Sequence, residues 1–312
     1  HFRLTAKAST LLGSILGDDK SAILVTAPYG SGKSLTATCA LQFVENTPAA
    51  QETLAGIARQ AKRVNGSLHK QLKARLSDGV CGVAVALEGH VDSLPNALAD
   101  AFAASLDRLD HRRGVSRRIQ TILKSNPSPV QTLADLVDLC ESRGLDRVVI
   151  VWDEFGRHLE TLIREGRSTE LHDVQHLAEF AARDQNVNCT FSVLLHQGFS
   201  AYASNASESV RKEWKKIEER FERLDYVDDS AELLTLLGDV IRDRSTQNRS
   251  KKIKGDVPAT RTLQRSGLFA EYEPEIVDAM LKNAAPLEPA VLYLLPKIAA
   301  RVAQNERTLF GF

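Results

Sequence analysis

The segment from Ala22 to Glu45 limits the folds open to this chain more than any other. Ala22-Ile23-Leu24-Val25-Thr26 is a short apolar run bounded by Pro28 and Gly30, the signature of a buried strand. A helical pattern from about Lys33 to Glu45 follows at once and stops at Asn46-Thr47-Pro48. This strand-loop-helix order then recurs. Val80 to Leu87, Val148 to Trp152 and Asn188 to Leu195 read as further buried strands. Between and after them lie helical stretches at Gln51 to Leu76, Leu94 to Leu109, Val130 to Arg143, Leu159 to Asp184 and Ser207 to Arg223. A short apolar stretch, Leu224 to Val227, comes next, and His111 to Pro129 reads as a loop or insertion. Strands separated by helices of this length imply a parallel sheet sandwiched by helices. From Ala231 onward only helical patterns occur, broken by the polar stretch Ser245 to Val257. The expectation is an α/β domain over residues 1–229 followed by a small all-helical domain over 230–312.

Two carboxyl-rich or phosphate-directed motifs sit where such a sheet would present them. Ala27-Pro28-Tyr29-Gly30-Ser31-Gly32-Lys33-Ser34, closed by Leu35, lies between the first strand and its helix. It matches the phosphate-binding P-loop, with Ala at the first position where Gly is usual. Glycines let backbone N–H groups turn inward around phosphate oxygens, and the helix N-terminus adds its positive dipole. Lys33 would reach the β- and γ-phosphates and Ser34 would ligate Mg²⁺. A glycine-rich turn needs no ligand, but the flanking strand and helix with the Lys-Ser ending favour one. The second motif is Asp153-Glu154 at the end of the strand Val148 to Trp152. Carboxylates next to a buried strand are costly unless paired or near a cation. Asp153 is read as the Mg²⁺ holder and Glu154 as the group that orients and polarises water; Asp153 as a plain helix cap is the competing reading. A third strand end, His196-Gln197, would face the ligand crevice at the carboxyl edge of the sheet. One or both would sense the γ-phosphate or position water; the bland reading is a polar strand end.

With these motifs in that order, the chain resembles the AAA+ branch of P-loop ATPases. The resemblance implies a helical lid after the sheet domain, ATP with Mg²⁺ as cofactors, and nucleotide at subunit interfaces of a homo-oligomer. Glu219-Arg220-Phe221 is similar to the arginine-finger region, which implies that Arg220 acts in trans on a neighbouring subunit; a surface salt bridge is its alternative. Gln304 to Leu309 is similar to the sensor-2 helix of initiator-type members, which implies a γ-phosphate contact for Arg307, with Arg301 as competitor. The loop, the stretch Trp152 to Glu160 and the Gln304 to Thr308 ending are also similar to ATPase modules of large bacterial phage-defence proteins. ATP is preferred over GTP because no Asn-Lys-x-Asp element is present. An ATP-hydrolysing assembly module is the leading reading. A STAND-like nucleotide switch with negligible turnover is the second, and a P-loop kinase the third.

Composition narrows partners and compartment. Forty Lys+Arg balance 40 Asp+Glu, with pI near 7.2. That balance argues against a wholly basic nucleic-acid coat, though Arg112, Arg113, Arg117 and Arg118, and separately Lys251, Lys252 and Lys254, form local clusters that could meet DNA phosphates. Solvated charge is the alternative. No run of about 18 apolar residues exists and no signal peptide is visible, so no membrane association and a cytoplasmic location are expected. Cys39, Cys81, Cys140 and Cys189 have no close pair and read as free thiols. His158, His172 and His176 lack metal-ligand spacing. The chain opens without an initiator Met, which leaves open both a longer protein and an effector domain outside this segment.

Overall fold

The computed structural model describes residues 2–17, 21–28, 30–110, 114–125, 127–183, 186–204, 206–226, 238, 241, 260–270, 272–284 and 287–302. Five strands, β1 (Ser21–Thr26), β2 (Val83–Glu88), β3 (Arg147–Asp153), β4 (Asn188–Leu195) and β5 (Glu222–Asp225), pair in the order β2-β3-β4-β1-β5. Every pairing is parallel. The strands of such a sheet must be buried on both faces, and their side chains alternate between two cores. Ile23, Val25, Val149 and Val151 point to one face. There they meet α1 (Ala6–Leu16), α2 (Lys33–Glu45), α3 (Gln51–Val64) and α4 (Gly66–Asp78). Leu24, Val148, Ile150 and Trp152 point to the other. That face is covered by α5 (Leu94–Arg108), α6 (Val115–Lys124), α7 (Pro129–Glu141), α8 (Phe155–Arg164), α9 (Leu171–Ala181), α10 (Phe199–Tyr202) and α11 (Glu208–Glu218). The expected α/β sandwich is therefore the observed one.

The chain divides into two compact units: residues 1–28 with 32–226, and residues 29–31 with 227–312. In the second, the described helices are α12 (Thr260–Arg265), α13 (Pro274–Ala284) and α14 (Pro289–Val302). Their small core gathers Leu263, Phe269, Val277, Met280, Leu281 and Leu292.

Local chemistry explains where the elements depart from the sequence reading. The single helix expected over Gln51 to Leu76 breaks at Asn65, whose extended backbone (φ −151°) lets its side chain accept from the amides of Ser67 and Leu68. That is an N-cap, so a second helix starts there. The supposed loop His111 to Pro129 contains α6, which buries Val115, Ile119 and Ile122 at helical spacing. The stretch Leu159 to Asp184 is two helices parted at Gly166, which has φ +68°. The fifth strand begins inside the expected helix Ser207 to Arg223. Its side chains are mostly exposed, so no alternation of buried residues marks it in the sequence.

At the amino edge of the sheet, two buried charges, Arg75 and Glu45, are paired. Arg75 reaches Asp146 with two N–H groups at 2.6 and 3.1 Å and donates to the carbonyls of Phe43 and Val44. These bonds hold the Asp146 carboxyl below its usual range although burial opposes them. Glu45 is bound the same way by Arg108 and by the Ser105 hydroxyl. The cysteines are free; burial pushes the Cys39, Cys140 and Cys189 thiols up to about 12, so they are inert fillers of the core.

Candidate functional site

The carboxyl ends of β1, β4 and β3 lie side by side, and that adjacency assembles the candidate site. The register pairs Thr26 with Leu195 and Trp152 with Val193. The loop after β1, the residues His196-Gln197 after β4 and Asp153-Glu154 at the end of β3 therefore share one sheet edge, with β4 in the middle.

On the β1 side, Ala27 is buried and donates its amide to the Leu195 carbonyl at 3.0 Å. Gly30 and Gly32 have φ of +73° and +89°, a region that favours glycine. Gly32 is the N-cap of α2 and supplies no side-chain cap, so the first-turn amides of that helix have no side chain of this residue as partner. Lys33 is 7% exposed, with Nζ 3.4 Å from the Pro28 carbonyl. Burial lowers its pKa, and the charges of Asp153 and Glu154 oppose that shift. The sheet thus brings Lys33 into the electrostatic range of both acids. Ser34 and Leu35 are exposed, Leu35 by 58%. Tyr29 lies outside the described residues, and Pro28 is exposed.

On the β3 side, Asp153 accepts from the Glu154 amide at 2.8 Å and gives its carbonyl to Gly89 at 2.9 Å. Glu154 stands in the left-handed region, φ +49°, as the N-cap of α8. A non-glycine residue held there is uncommon and marks a position set by its surroundings. Its Oε2 is 3.0 Å from Nε of Arg157, one helical turn on, in an ion pair that lacks hydrogen-bond alignment. Ser34 and Asp153 offer a hydroxyl and a carboxylate, hard oxygen donors that suit Mg²⁺. Among the described residues no three His, Cys, Asp or Glu side chains converge as a metal cage. A Mg²⁺ ion at this pair would draw its other ligands from water and phosphate, as Mg²⁺ ordinarily does.

In the middle, both ring nitrogens of His196 lie near the Tyr202 hydroxyl, at 3.0 and 3.2 Å. Burial, then the nearby Lys33 charge, lowers the His196 pKa, so the ring is neutral at pH 7. Tyr202 reaches it only because α8 carries Gly156 where a Cβ would fall inside the tyrosine ring. The sequence reading missed Gly156 and Tyr202; the glycine two residues after the acid pair was the available signal.

Next to β3, His158 stacks on His90 with the two Nδ1 atoms 3.0 Å apart. Burial and the neighbouring His90 depress His158 to about 4. It is a buried residue held neutral at pH 7. Arg220 is 55% exposed and lies 3.4 Å from Glu179 of α9. It makes a surface ion pair within this chain. The side chain of Arg301 and all of Arg307 fall outside the described residues.

Of the expected cationic clusters, Arg117 and Arg118 are exposed on α6; Arg112, Arg113, Lys251, Lys252 and Lys254 lie outside the described residues. A stronger cluster went unread. The α3–α4 hairpin exposes Arg59, Lys62, Arg63, Lys70 and Lys73, and none pairs with an acid among the described residues. Residues 53–77 contain no Asp or Glu, which was legible in the sequence. No described helix is long and apolar enough to cross a membrane.

No family model matches the chain, and no curated protein matches it. Among solved structures, it is similar to the Aeropyrum pernix ORC2 protein in its ADPNP–ADP complexes, at 14% identity, 97% of this chain, 64% of that one and a TM-score of 0.41. Cdc6p from Pyrobaculum aerophilum gives 16%, 96%, 62% and 0.35. The ADP form of the A. pernix protein gives 14%, 98%, 76% and 0.40. The chain therefore spans just under two thirds of the first of these proteins. At such scores the likeness says nothing about activity, and the case for a nucleotide site stands on the motifs and on the sheet order that brings them together.

Proposed function

We propose that this chain is an ATP-binding and ATP-hydrolysing module of AAA+ type whose nucleotide state governs assembly with further copies. One observation carries the reading: β4 separates β1 from β3, so the phosphate-directed loop, a neutral His196 with Gln197, and the Asp153-Glu154 pair stand along one edge. Backbone amides of the loop and Lys33 would bind the phosphates. Bound Mg²⁺, held by Ser34 and Asp153, would neutralise phosphate charge. Glu154 would take a proton from water, and His196 or Gln197 would hold that water or read the γ-phosphate. The second acid favours water over an acceptor substrate and so hydrolysis over kinase chemistry. The test is phosphate release from ATP by the purified protein. Tight ATP retention without turnover would instead support the STAND-like switch.

Arg220 is proposed to complete the site of a neighbouring copy. Its exposure and its weak pairing with Glu179 support this, because an exposed ion pair of this length is worth little and releases the guanidinium readily. Arg220→Ala is expected to leave ATP affinity unchanged and to cut turnover about 1,000-fold in the assembled protein only. Normal turnover in a verified oligomer removes the trans role. Arg307 is proposed as the cis γ-phosphate contact from the helical segment. A bacterial phage-defence setting rests on the sequence resemblance alone.

DNA is the partner we propose for the α3–α4 hairpin. Five exposed, unpaired cations on two adjacent helices can displace counterions from a phosphate backbone, which makes binding steeply salt-dependent. Converting Lys62, Arg63 and Lys70 to Glu is expected to lower duplex-DNA affinity at least tenfold at about 0.1 M salt and to flatten the salt dependence by roughly one unit of slope per lost phosphate contact. Fluorescence anisotropy against labelled duplex measures both; an unchanged salt slope rejects the hairpin as the DNA face.

A further inference from the structure

The chain returns to its phosphate-directed loop a second time, 190 residues after Thr36, through a single side chain. Tyr226, which follows β5, is 2% exposed. Its backbone amide donates to the carbonyl of Thr26, the last residue of β1, at 3.1 Å. Its hydroxyl lies 2.8 Å from the hydroxyl of Thr36, a residue 1% exposed in the first turn of α2. The same hydroxyl would stand 3.8 Å from a Cβ placed on Gly32. One face of the ring is covered by the Lys7 ammonium of α1, 4.6 Å from its centroid.

These contacts bracket the loop. The Tyr226 backbone is fixed where the loop leaves β1, and its hydroxyl is fixed where the loop enters α2. A loop that must aim several amides at one anion loses affinity when either anchor point can drift, because the ordering must then be completed at binding. Tyr226 thus bonds to both Thr26 and Thr36. The Thr36–Tyr226 contact pairs two buried hydroxyls, so removing the tyrosine hydroxyl takes this partner from Thr36.

We propose that Tyr226 is a positioning residue that preorganises the phosphate-binding loop by anchoring it at both ends. This rests on the reading of that loop as an ATP site. Loss of the Tyr226 hydroxyl costs nucleotide affinity and leaves the chemical step alone, since the hydroxyl meets Thr36 at the start of α2 and the backbone amide meets Thr26 at the end of β1.

The experiment is a double-mutant cycle on the whole chain with Tyr226→Phe, Thr36→Val and both, with Lys33→Ala as the control. Calorimetry supplies the ATP dissociation constant and steady-state assays supply KM and kcat. Each single variant is expected to weaken ATP binding about 3- to 10-fold, the equivalent of one hydrogen bond, with kcat within twofold of wild type. The double variant should be no weaker than the worse single, because both remove the same bond. Scaffold damage alone would lower the apo melting temperature without this KM-against-kcat split. Wild-type ATP affinity in both single variants, with binding lost in Lys33→Ala, overturns the inference and spares the ATP reading. Additive losses in the double variant overturn it as well. Undetectable ATP binding by the wild type overturns both.

Discussion

Lys33→Ala is expected to lose ATP binding by about 100-fold or more while the apo protein stays as stable as wild type or gains slightly. The first half follows from what the ammonium would do: it would make charge-assisted hydrogen bonds to two phosphates, each worth about 1.5–3 kcal/mol. The second half follows from what the side chain does without nucleotide. Lys33 is 7% exposed, and burial depresses its pKa despite two nearby acids. Its charge is thus held in the fold at a cost that the protein's own groups do not fully offset. Removing it relieves that cost. A melting experiment with and without ATP reads both effects at once, since a ligand stabilises only the state that binds it. A variant that loses its ATP-induced shift but keeps its apo melting temperature supports the assignment. An unchanged shift would end it.

Glu154→Gln is the second large effect. The change keeps the shape of the side chain and removes the proton acceptor. Turnover should fall about 100- to 1,000-fold, in the range of a lost general base, with ATP affinity unchanged or tighter. The fold is not expected to suffer. The Arg157 partner is 65% exposed, so the lost ion pair contributes little. Retention of ATP by the variant on a desalting column, together with absent phosphate release, is the diagnostic pair. Wild-type turnover would remove Glu154 from the chemistry and leave only its helix-capping position. The same result would shift the choice toward phosphoryl transfer to another acceptor.

The parts of this molecule that were legible in the sequence are those whose physics is local. The bounds of α2 and β4 coincide with the segments Lys33 to Glu45 and Asn188 to Leu195, because each is delimited by its own turn residues and periodicity. The loop and the two acids were legible for the same reason. Elements held by tertiary bonds were not. Asn65 caps a new helix with its own side chain, but in the sequence it sits inside an unbroken helical pattern. Strand β5 exposes most of its side chains and owes its form to pairing with β1, so its pattern resembles that of the charged helix before it. Supporting residues were invisible for a further reason. Gly156 makes room for Tyr202, and Thr36 meets Tyr226, only after segments 46 and 190 residues apart have been brought together. Arg220 lies just before β5, and its partner Glu179 lies 41 residues earlier in α9, a pairing that no local pattern announces.

The placement of indole rings gives the α/β unit an optical signature of its own. The chain has two tryptophans, Trp152 and Trp214, and both are buried in that unit. The helical unit has none. Emission excited at the indole band therefore follows the sheet domain alone, while far-ultraviolet dichroism counts the helices of both units. Divergence of the two signals during unfolding would register the two units unfolding independently, with no label attached. Trp152 adds chemical sensitivity: its Nε1 donates to the Gly89 carbonyl at 2.8 Å, its ring centre is 4.7 Å from that of His158, and it directly precedes Asp153. A natural fluorophore thus directly precedes the carboxylate pair in the chain, and its emission is the signal to follow when ATP is added.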